Sequence, residues 1–380
     1  MKILVAMDSF KGSLSAVEAC EAVEKGIKAV DEKIEVIKKP IADGGEGTVE
    51  ILINALDGQK IFLKVNDPLM RKIETYYGIA NNQTAVIEMA LASGLTLLKA
   101  DERNPLFTTT YGVGEIIKNA LDRGIRDFII TIGGSATNDA GMGMLSALGV
   151  NFFDNKGKKL EPIGENLINI NTIDLNGFDK RLTEANFMVA CDVNNPLYGK
   201  NGAAYIYGPQ KGATKGIVEH LDEGLKNFSS VTANLLSYDN SQMPGTGAAG
   251  GLGFALLSYL SATLKPGIEI VLDYLKIDEL INNVDLIITG EGKIDSQSKM
   301  GKVLSGIGIY SLKYNKKAIA FGGIVENKLS LKEYGISTII QINRRNLSLT
   351  DAMKKDNAKL LLSNSVKNYF KSKKCLIVKN

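Results

Sequence analysis

Carboxylates, lysines and glycine pairs follow several short apolar runs of this sequence, and together they could carry out phosphoryl transfer. That reaction depends on cationic clamps, Mg²⁺ and a carboxylate that orients the acceptor. Histidine chemistry is disfavoured because the single histidine, His220, lies among helix-forming residues. The stretches with the suitable composition are MDSFKGS (7–13), ADGGEGT (42–48), GGSATND (133–139), CDVNNP (191–196), GEGKIDS (290–296) and FGG (321–323).

The stretch ADGGEGT combines glycines with two carboxylates. Glycines let backbone N–H groups surround an anion, whereas carboxylates in the same loop would repel one. Mg²⁺ resolves this conflict, because it binds carboxylate and phosphate oxygens together. We therefore predict that Gly44 and Gly45 contact phosphate or a hydroxylated substrate, and that Asp43 or Glu46 binds Mg²⁺ directly or through water. With the base assigned to Asp192 below, Asp43 and Glu291 are the predicted metal ligands. Asp43 could instead cap a helix, which needs no ligand.

The stretch GGSATND is the clearest local candidate for anion binding. Gly133 and Gly134 leave the backbone open, and Ser135, Thr137 and Asn138 add donors at a predicted helix start. The string is not a Walker loop, and no GxGxxG follows the first predicted strand. An ordinary turn is the alternative, since tight turns need glycine with or without a ligand.

Four residues at strand ends are predicted to be catalytic: Asp8, Lys11, Asp192 and Asp295. A carboxylate must receive the acceptor proton or orient its oxygen, and Asp8, Asp192, Glu291 and Asp295 are the candidates. We favour Asp192, because it follows the apolar run FMVAC and precedes a stiff NNP turn. Asp192 as a turn cap and Asp8 as a helix cap are the structural alternatives.

Lys11 and Lys293 are predicted to bind substrate anions, because each lies in a glycine-bearing loop just past a strand. Ser9, which follows Asp8 directly, is predicted to bind substrate as well. The alternative for both lysines is an ordinary position on the surface.

Alternating strand and helix patterns must position these residues. The strand KILVAMD leads to a helix that Ser15 and Glu18 begin as a capping box. Antiparallel patterns replace this rhythm after the second βα unit, and the parallel rhythm returns near residue 284. We predict a doubly wound, parallel, Rossmann-like α/β domain from residues 1–62 and 284–380. A second α/β domain with a mixed sheet is inserted at 63–283, and we expect the polar strand ends to share a cleft between the domains.

The composition excludes several classes of partner. The 380 residues contain 45 Lys+Arg against 42 Asp+Glu and no Trp, which is unlike a nucleic-acid-binding protein. Cys20, Cys191 and Cys375 are too scattered for a disulfide or metal framework, so a reducing compartment, the cytoplasm, is predicted. The first apolar run is too short for a signal peptide. The uncharged stretch 240–264 begins with a glycine-rich turn, so we expect no membrane segment.

Nine motifs in order along nearly the whole chain resemble those of the bacterial type-1 glycerate kinases. Two small departures are Met7, where the family usually has proline, and Lys293, where arginine is usual. Lysine makes a less bidentate phosphate contact than arginine. The motifs are DSFKGSLSA (8–16), ADGGEGT (42–48), TTYGVGE (109–115), IGGSATND (132–139), CDVNNPLYGKNGAA (191–204), GPQKGA (208–213), GTGAAGGLG (245–253), LKPGIEIV (264–271) and ITGEGKID (288–295).

The resemblance implies an enzyme that phosphorylates D-glycerate with ATP and Mg²⁺, with 2-phosphoglycerate as the favoured product. It implies an α/β domain interrupted by a second one, and it does not assign the residue roles, which come from the chemistry above. Two other classes of function stay open: a non-catalytic sensor of sugar acids, and a metal-dependent lyase or hydrolase of acidic substrates. The number of carboxylates argues against a sensor, and a lyase or hydrolase would need no nucleotide.

Overall fold

The computed structural model describes residues 1–42, 47–299, 302–326, 330–343 and 347–377. The chain divides into two compact units, the first made of Met1–Asp43 with Gly267–Asn380 and the second of Gly44–Pro266. Each unit buries its own hydrophobic core. Within the described residues, every helix is too short or too polar to cross a lipid bilayer.

The boundaries of the units fall earlier in the chain than the predicted positions, 62 and 283. Residues 59–66 pair along their length with residues 72–80, so they join the second unit. Residues 267–281 contain two short helices that contact the helix at 303–313 in the first unit. Both segments therefore belong with the elements on which they pack.

The strands of the described residues alternate with helices at both ends of the chain. They are β1 (Lys2–Met7), β2 (Glu35–Lys38), β3 (Gln59–Asn66), β4 (Lys72–Ala80), β5 (Thr84–Glu88), β6 (Asp127–Thr131), β7 (Asn151–Phe153), β8 (Thr172–Asp174), β9 (Asn186–Ala190), β10 (Thr263–Lys265), β11 (Leu286–Ile294), β12 (Lys317–Val325) and β13 (Ile336–Gln341).

The α-helices are joined by short 3₁₀ turns, two of which, Pro209–Lys211 and Ser296–Lys299, carry residues of the site. The helices are α1 (Ala16–Lys28), α2 (Thr48–Ala55), α3 (Ala90–Ser93), α4 (Tyr111–Asp122), α5 (Met142–Ala147), α6 (Ala203–Tyr207), α7 (Lys215–Leu236), α8 (Ala248–Leu260), α9 (Gly267–Tyr274), α10 (Ile277–Ile281), α11 (Val303–Lys313), α12 (Leu349–Met353) and α13 (Lys355–Ile377).

The first unit is built on a five-stranded parallel sheet with the order β13-β12-β11-β1-β2. Helices α1 and α13 contact each other, and their apolar residues join one face of this sheet in a single core. Residues of the opposite face, such as Leu4 and Ile287, are also fully buried. Parallel sheets need cover on both faces, so the predicted doubly wound α/β class is confirmed for this unit.

Helix α1 begins where the capping box predicts. The Ser15 hydroxyl accepts the Glu18 N–H at 3.2 Å, and the Glu18 carboxylate accepts the Ser15 N–H at 3.2 Å. This reciprocal pair satisfies two N–H groups that a helix start leaves without partners, so it fixes the first residue of α1.

The second unit is built on a mixed six-stranded sheet with the order β10-β9-β6-β5-β4-β3. Strands β3, β4 and β5 are antiparallel as predicted, whereas β5, β6, β9 and β10 run parallel. The last residues of the four parallel strands lie in register: Glu88, Thr131, Ala190 and Lys265. The segments that follow these strands therefore leave the sheet at one edge.

Candidate functional site

A pocket of about 420 Å³ lies in the first unit, at the carboxyl ends of β1 and β11. The structure brings six predicted site residues to its lining: Asp8, Ser9, Lys11, Glu291, Lys293 and Asp295. Apolar side chains from β12, α12 and α13 complete the lining, among them Ile324, Met353 and Leu361. The pocket therefore combines charges of both signs with apolar surface.

Asp8 and Glu291 are neighbours because their strands are paired in register. Met7 lies opposite Gly290, and the Asp8 N–H donates to the Gly290 carbonyl at 2.9 Å. Neighbouring strands are about 4.8 Å apart, so the two carboxylates extend from adjacent backbone positions. Both residues are largely buried, with exposed fractions of 9% for Asp8 and 6% for Glu291.

A buried serine connects two carboxylate residues of the pocket. The Ser298 hydroxyl donates to Oε1 of Glu291 at 2.5 Å and accepts the Asp295 N–H at 3.1 Å. Ser298 is fully buried in the 3₁₀ turn Ser296–Lys299. A short bond to a carboxylate fixes the orientation of the Glu291 side chain. Ser298 is not among the predicted site residues, since one serine in a polar loop carries no signal of burial.

Lys293 forms an ion pair with Asp295, with 2.9 Å between Nζ and the carboxylate. The Asp295 carboxylate raises the pKa of Lys293, so the lysine keeps its charge. The Lys293 side chain is exposed and that of Asp295 is mostly buried. Lys302, which the sequence analysis did not select, lines the same pocket.

Lys11 is carried by a tight loop after β1. The Phe10 N–H donates to the Leu14 carbonyl at 2.8 Å, and the Leu14 N–H donates to the Phe10 carbonyl at 3.0 Å. Gly12, at the tip, has a φ of 73°, a conformation that glycine adopts without strain. A Cβ on Gly292 would lie 3.2 Å from the Phe10 Cα, so glycine there lets the loop pack closely on β11.

The segment after β6 in the second unit is a loop, and the predicted helix start at 135–138 is wrong. Helix α5 begins only at Met142. Its first N–H groups are taken by Asp139, whose carboxylate accepts from Gly141 at 3.3 Å and from Gly143 at 3.1 Å. The same carboxylate accepts the N–H and the hydroxyl of Thr110, each at 2.7 Å. Burial raises the pKa of Asp139.

The predicted anion-binding residues differ in exposure. Gly133 and Gly134 are exposed, Ser135 is 8% exposed, and Thr137 and Asn138 are fully buried. Among the described residues, the Thr137 hydroxyl and both polar atoms of the Asn138 amide have no hydrogen-bond partner. Buried polar groups are normally paired, so these atoms are candidates for water or ligand contacts.

Lys211 is a further residue that contacts this loop, and it is not among the predicted site residues. Its Nζ donates to the Ser135 hydroxyl at 2.8 Å and to the Thr137 carbonyl at 2.6 Å. The side chain is buried, and burial lowers the pKa of Lys211 to about 7. The motif GPQKGA contains this lysine, but its spacing gives no sign of the distant contact.

Asp192 lies in an exposed segment just after β9. Since Ala190 lies opposite Thr131 on β6, both Asp192 and Gly133 follow a matched pair of residues at the same sheet edge. The NNP turn is held by Asn195, whose amide donates to the Asn201 carbonyl at 2.8 Å and accepts the Tyr207 hydroxyl at 2.6 Å. Asp192 and Gly133 thus each lie two residues beyond the paired ends of β9 and β6.

The remaining residues considered are His220, which makes a structural contact, and a glycine-rich segment that lies outside the described residues. His220 lies on helix α7, and its ring makes a 3.2 Å contact with the Glu165 carbonyl, in agreement with a structural role. Asp43, Gly44, Gly45 and Glu46 lie outside the described residues. Within the described part of the chain, no three His, Cys, Asp or Glu side chains group as a metal centre. Mg²⁺ at a phosphate site needs only one or two carboxylates.

The parallel strands of both units and the pocket of carboxylates and lysines are typical of α/β enzymes that transfer phosphoryl groups. The family model described as the glycerate kinase family matches residues 3–372. The chain therefore belongs to the glycerate kinase family, and it is a small-molecule kinase.

Relatives match nearly from end to end. A glycerate kinase from Bacillus cereus is 46% identical over 356 residues, which cover 93% of each chain. A glycerate 2-kinase from Escherichia coli is 45% identical over 344 residues, 90% of each chain. A crystal structure described as a candidate glycerate kinase 2 from Salmonella typhimurium LT2 is 41% identical and superposes with a TM-score of 0.90, covering 99% of this chain and 98% of its own.

Proposed function

We propose that this chain transfers the γ-phosphoryl group of ATP to the 2-hydroxyl of D-glycerate and forms 2-phosphoglycerate. The observation that carries the proposal is the first-unit pocket, where carboxylates and lysines meet at two neighbouring strand ends. The name of the Escherichia coli relative, glycerate 2-kinase, supports the choice of the 2-hydroxyl. The three scattered cysteines favour the cytoplasm as the compartment.

The lysines of the pocket are suited to phosphate oxygens. Lys11 and Lys293 supply the positive charge that a transferring phosphoryl group requires, and Lys302 lines the same space. The pair between Lys293 and Asp295 holds the ammonium group near the strand end. The apolar lining beside these charges suits a nucleotide base, and the volume falls in the range typical of small-molecule pockets.

The carboxylates of the pocket fit Mg²⁺. Glu291 would hold the ion together with Asp43, and Asp8 is the described carboxylate nearest in register. Bound Mg²⁺ would neutralise charge on the β- and γ-phosphate oxygens. Ser298 contributes by holding Oε1 of Glu291 in one direction.

We propose Asp192 as the carboxylate that receives the proton of the acceptor hydroxyl. It follows strand β9, and it precedes a turn that the Asn195 side chain holds by a hydrogen bond. Asp8 and Asp295 are the alternatives, since both also lie at strand ends. The loop at 133–138 binds an anionic group of a substrate through its open glycines and the Ser135 hydroxyl.

One coupled assay tests the reaction and the position of the phosphate together. The protein is incubated with D-glycerate, ATP and MgCl₂ in the presence of enolase, with no phosphoglycerate mutase. Enolase consumes 2-phosphoglycerate and leaves 3-phosphoglycerate, so immediate formation of phosphoenolpyruvate is expected. ³¹P NMR of the product provides the independent assignment.

Four outcomes of this assay and its controls would contradict the proposal. Accumulation of 3-phosphoglycerate would refute the position of transfer. Conversion of D-glycerate without nucleotide would identify a lyase or hydrolase, and binding of D-glycerate without ATP consumption would identify a sensor. Unchanged rates after chelation with EDTA would refute the role of Mg²⁺.

A further inference from the structure

Lys211 is an ammonium group buried beneath the loop at 133–138. It lies at the end of the 3₁₀ turn Pro209–Lys211 and is 1% exposed. Burying an ammonium is costly unless hydrogen bonds compensate. Its bonds to the Ser135 hydroxyl at 2.8 Å and the Thr137 carbonyl at 2.6 Å provide this compensation, and both lie in the loop.

The bond to Ser135 fixes the direction of a proton. In its charged ammonium form Lys211 has donors only, so the Ser135 oxygen accepts. The hydroxyl proton of Ser135 must then point away from Lys211, toward another acceptor. Within the described part of the chain, no acceptor receives that proton. Ser135 retains 8% exposure, so an incoming oxygen anion can accept it.

Close packing holds the same loop from the other side. Gly250 has a φ of 67° within the left-handed kink of α8, and a Cβ there would lie 2.0 Å from the Thr137 carbonyl oxygen. Gly212, next to Lys211, has a φ of 93°, and its Cβ would lie 2.1 Å from the Arg103 carbonyl oxygen. The loop is therefore confined between the turn that carries Lys211 and the start of α8.

We propose that Lys211 is a positioning residue, which acts through Ser135 by directing its hydroxyl proton toward an anionic oxygen of a substrate. This inference rests on the proposed role of the loop at 133–138 in substrate binding. The anion is a carboxylate or a phosphate oxygen, and the Michaelis constants for D-glycerate and for ATP distinguish the two sources.

A double-mutant cycle on Lys211→Met and Ser135→Ala tests the connection. Each single variant is expected to raise the KM of one substrate by about 10-fold or more, the scale of a lost hydrogen bond to a charged group. The KM of the other substrate should change by less than about 3-fold. The double variant should lose no more than the more affected single variant, because both changes remove the same directed proton.

Lys28→Met is the matched control. Lys28, like Lys211, donates two hydrogen bonds, here to the carbonyls of Glu32 at 2.8 Å and Ile34 at 2.7 Å, but it lies in the first unit at the end of α1. Its replacement should leave both KM values unchanged. Thermal unfolding of each variant establishes that it is folded, and Lys211→Gln replaces Lys211→Met in the cycle if the latter does not fold.

The outcomes separate the inference from the proposed function. If Ser135→Ala leaves both KM values unchanged, the loop does not bind the anion and the proposed role of the loop fails. If Ser135→Ala raises a KM while Lys211 variants leave it unchanged, or if the two effects multiply in the double variant, the inference about Lys211 is wrong. A selective rise in one KM with no further loss in the double variant supports it.

Discussion

Replacing Ser298 by alanine should lower kcat/KM through its effect on Glu291. Ser298 is buried and hydrogen-bonded to this carboxylate, which we assign to Mg²⁺. The substitution removes the donor to Oε1 of Glu291 at 2.5 Å and the acceptor of the Asp295 N–H at 3.1 Å. A hydrogen bond to a charged group contributes about 1.5 to 3 kcal/mol. At about 1.4 kcal/mol per factor of ten, kcat/KM should fall by about 10-fold to 150-fold.

The dependence on Mg²⁺ makes this prediction specific. Without its hydroxyl donor, the Glu291 side chain can adopt other orientations and holds the ion less well. We expect the Ser298→Ala variant to need a higher concentration of MgCl₂ for half-maximal rate, and excess MgCl₂ should restore part of its activity. The measurement is the steady-state rate with D-glycerate and ATP over a series of MgCl₂ concentrations.

Ser311→Ala is the control for the loss of a buried serine hydroxyl. Ser311 is 1% exposed and donates to the carbonyls of Gly308 at 2.7 Å and Gly335 at 2.9 Å. Its substitution should cost about 1 kcal/mol of unfolding free energy without changing the MgCl₂ dependence. If folded Ser298→Ala shows the kcat/KM and MgCl₂ dependence of the wild type, Glu291 does not depend on this hydrogen bond and the reasoning fails.

Three further predictions concern charged residues. Lys11→Ala and Lys293→Ala should each lower kcat/KM by about 100-fold if the lysine ammonium groups face the charge that develops on the transferring phosphoryl group. Wild-type kinetics of either variant would show that this lysine does not take part in the reaction. Asp192→Asn should lower kcat by about 100-fold or more with unchanged circular dichroism. Near-normal turnover of this variant, together with an inactive Asp8→Asn or Asp295→Asn variant, would show that the inactivated residue is the base. Two lysines of α13 lower the pKa of Glu18 to about 2 from 4.5, so its stabilising effect is complete above pH 4.5 and is lost as the pH falls toward 2. Between these pH values, the free energy of unfolding measured in urea should depend less steeply on pH for Glu18→Gln than for the wild type. Equal slopes would show that the charge of Glu18 does not stabilise the protein.

Local sequence signals predicted the first unit well, because its elements depend on short-range rules. The capping box at Ser15 and Glu18 marked the start of α1, and apolar runs marked β1 and β11. Asp8, Ser9 and Lys11 could be predicted because they follow β1, and Asp295 follows β11, whereas Glu291 and Lys293 lie within the last residues of β11 rather than in a loop past it. Parallel pairing then brings the ends of β1 and β11 together, as the residues Asp8 and Glu291 show.

The missed residues depend on contacts that are distant in sequence or on burial. Lys211 and Ser135 are separated by 76 positions, and no periodic pattern relates them. Lysine is usually exposed, so a fully buried one runs against the ordinary expectation. The helix start at 135–138 was wrong for a related reason, since Asp139 satisfies the first N–H groups of α5 and the helix begins later.

The glycines of the motifs serve two different physical purposes, which a motif cannot separate. A Cβ on Gly133 would meet no atom within 4 Å, so no contact within the protein requires glycine there, and the open space can accept a substrate. Gly250 is instead required by a close backbone contact, with the Thr137 carbonyl oxygen 2.0 Å from an added Cβ, and Gly292 makes a tight contact, with the Phe10 Cα at 3.2 Å. Gly133→Ala should therefore act on substrate binding and Gly250→Ala on folding, because only the first change leaves every contact within the protein intact.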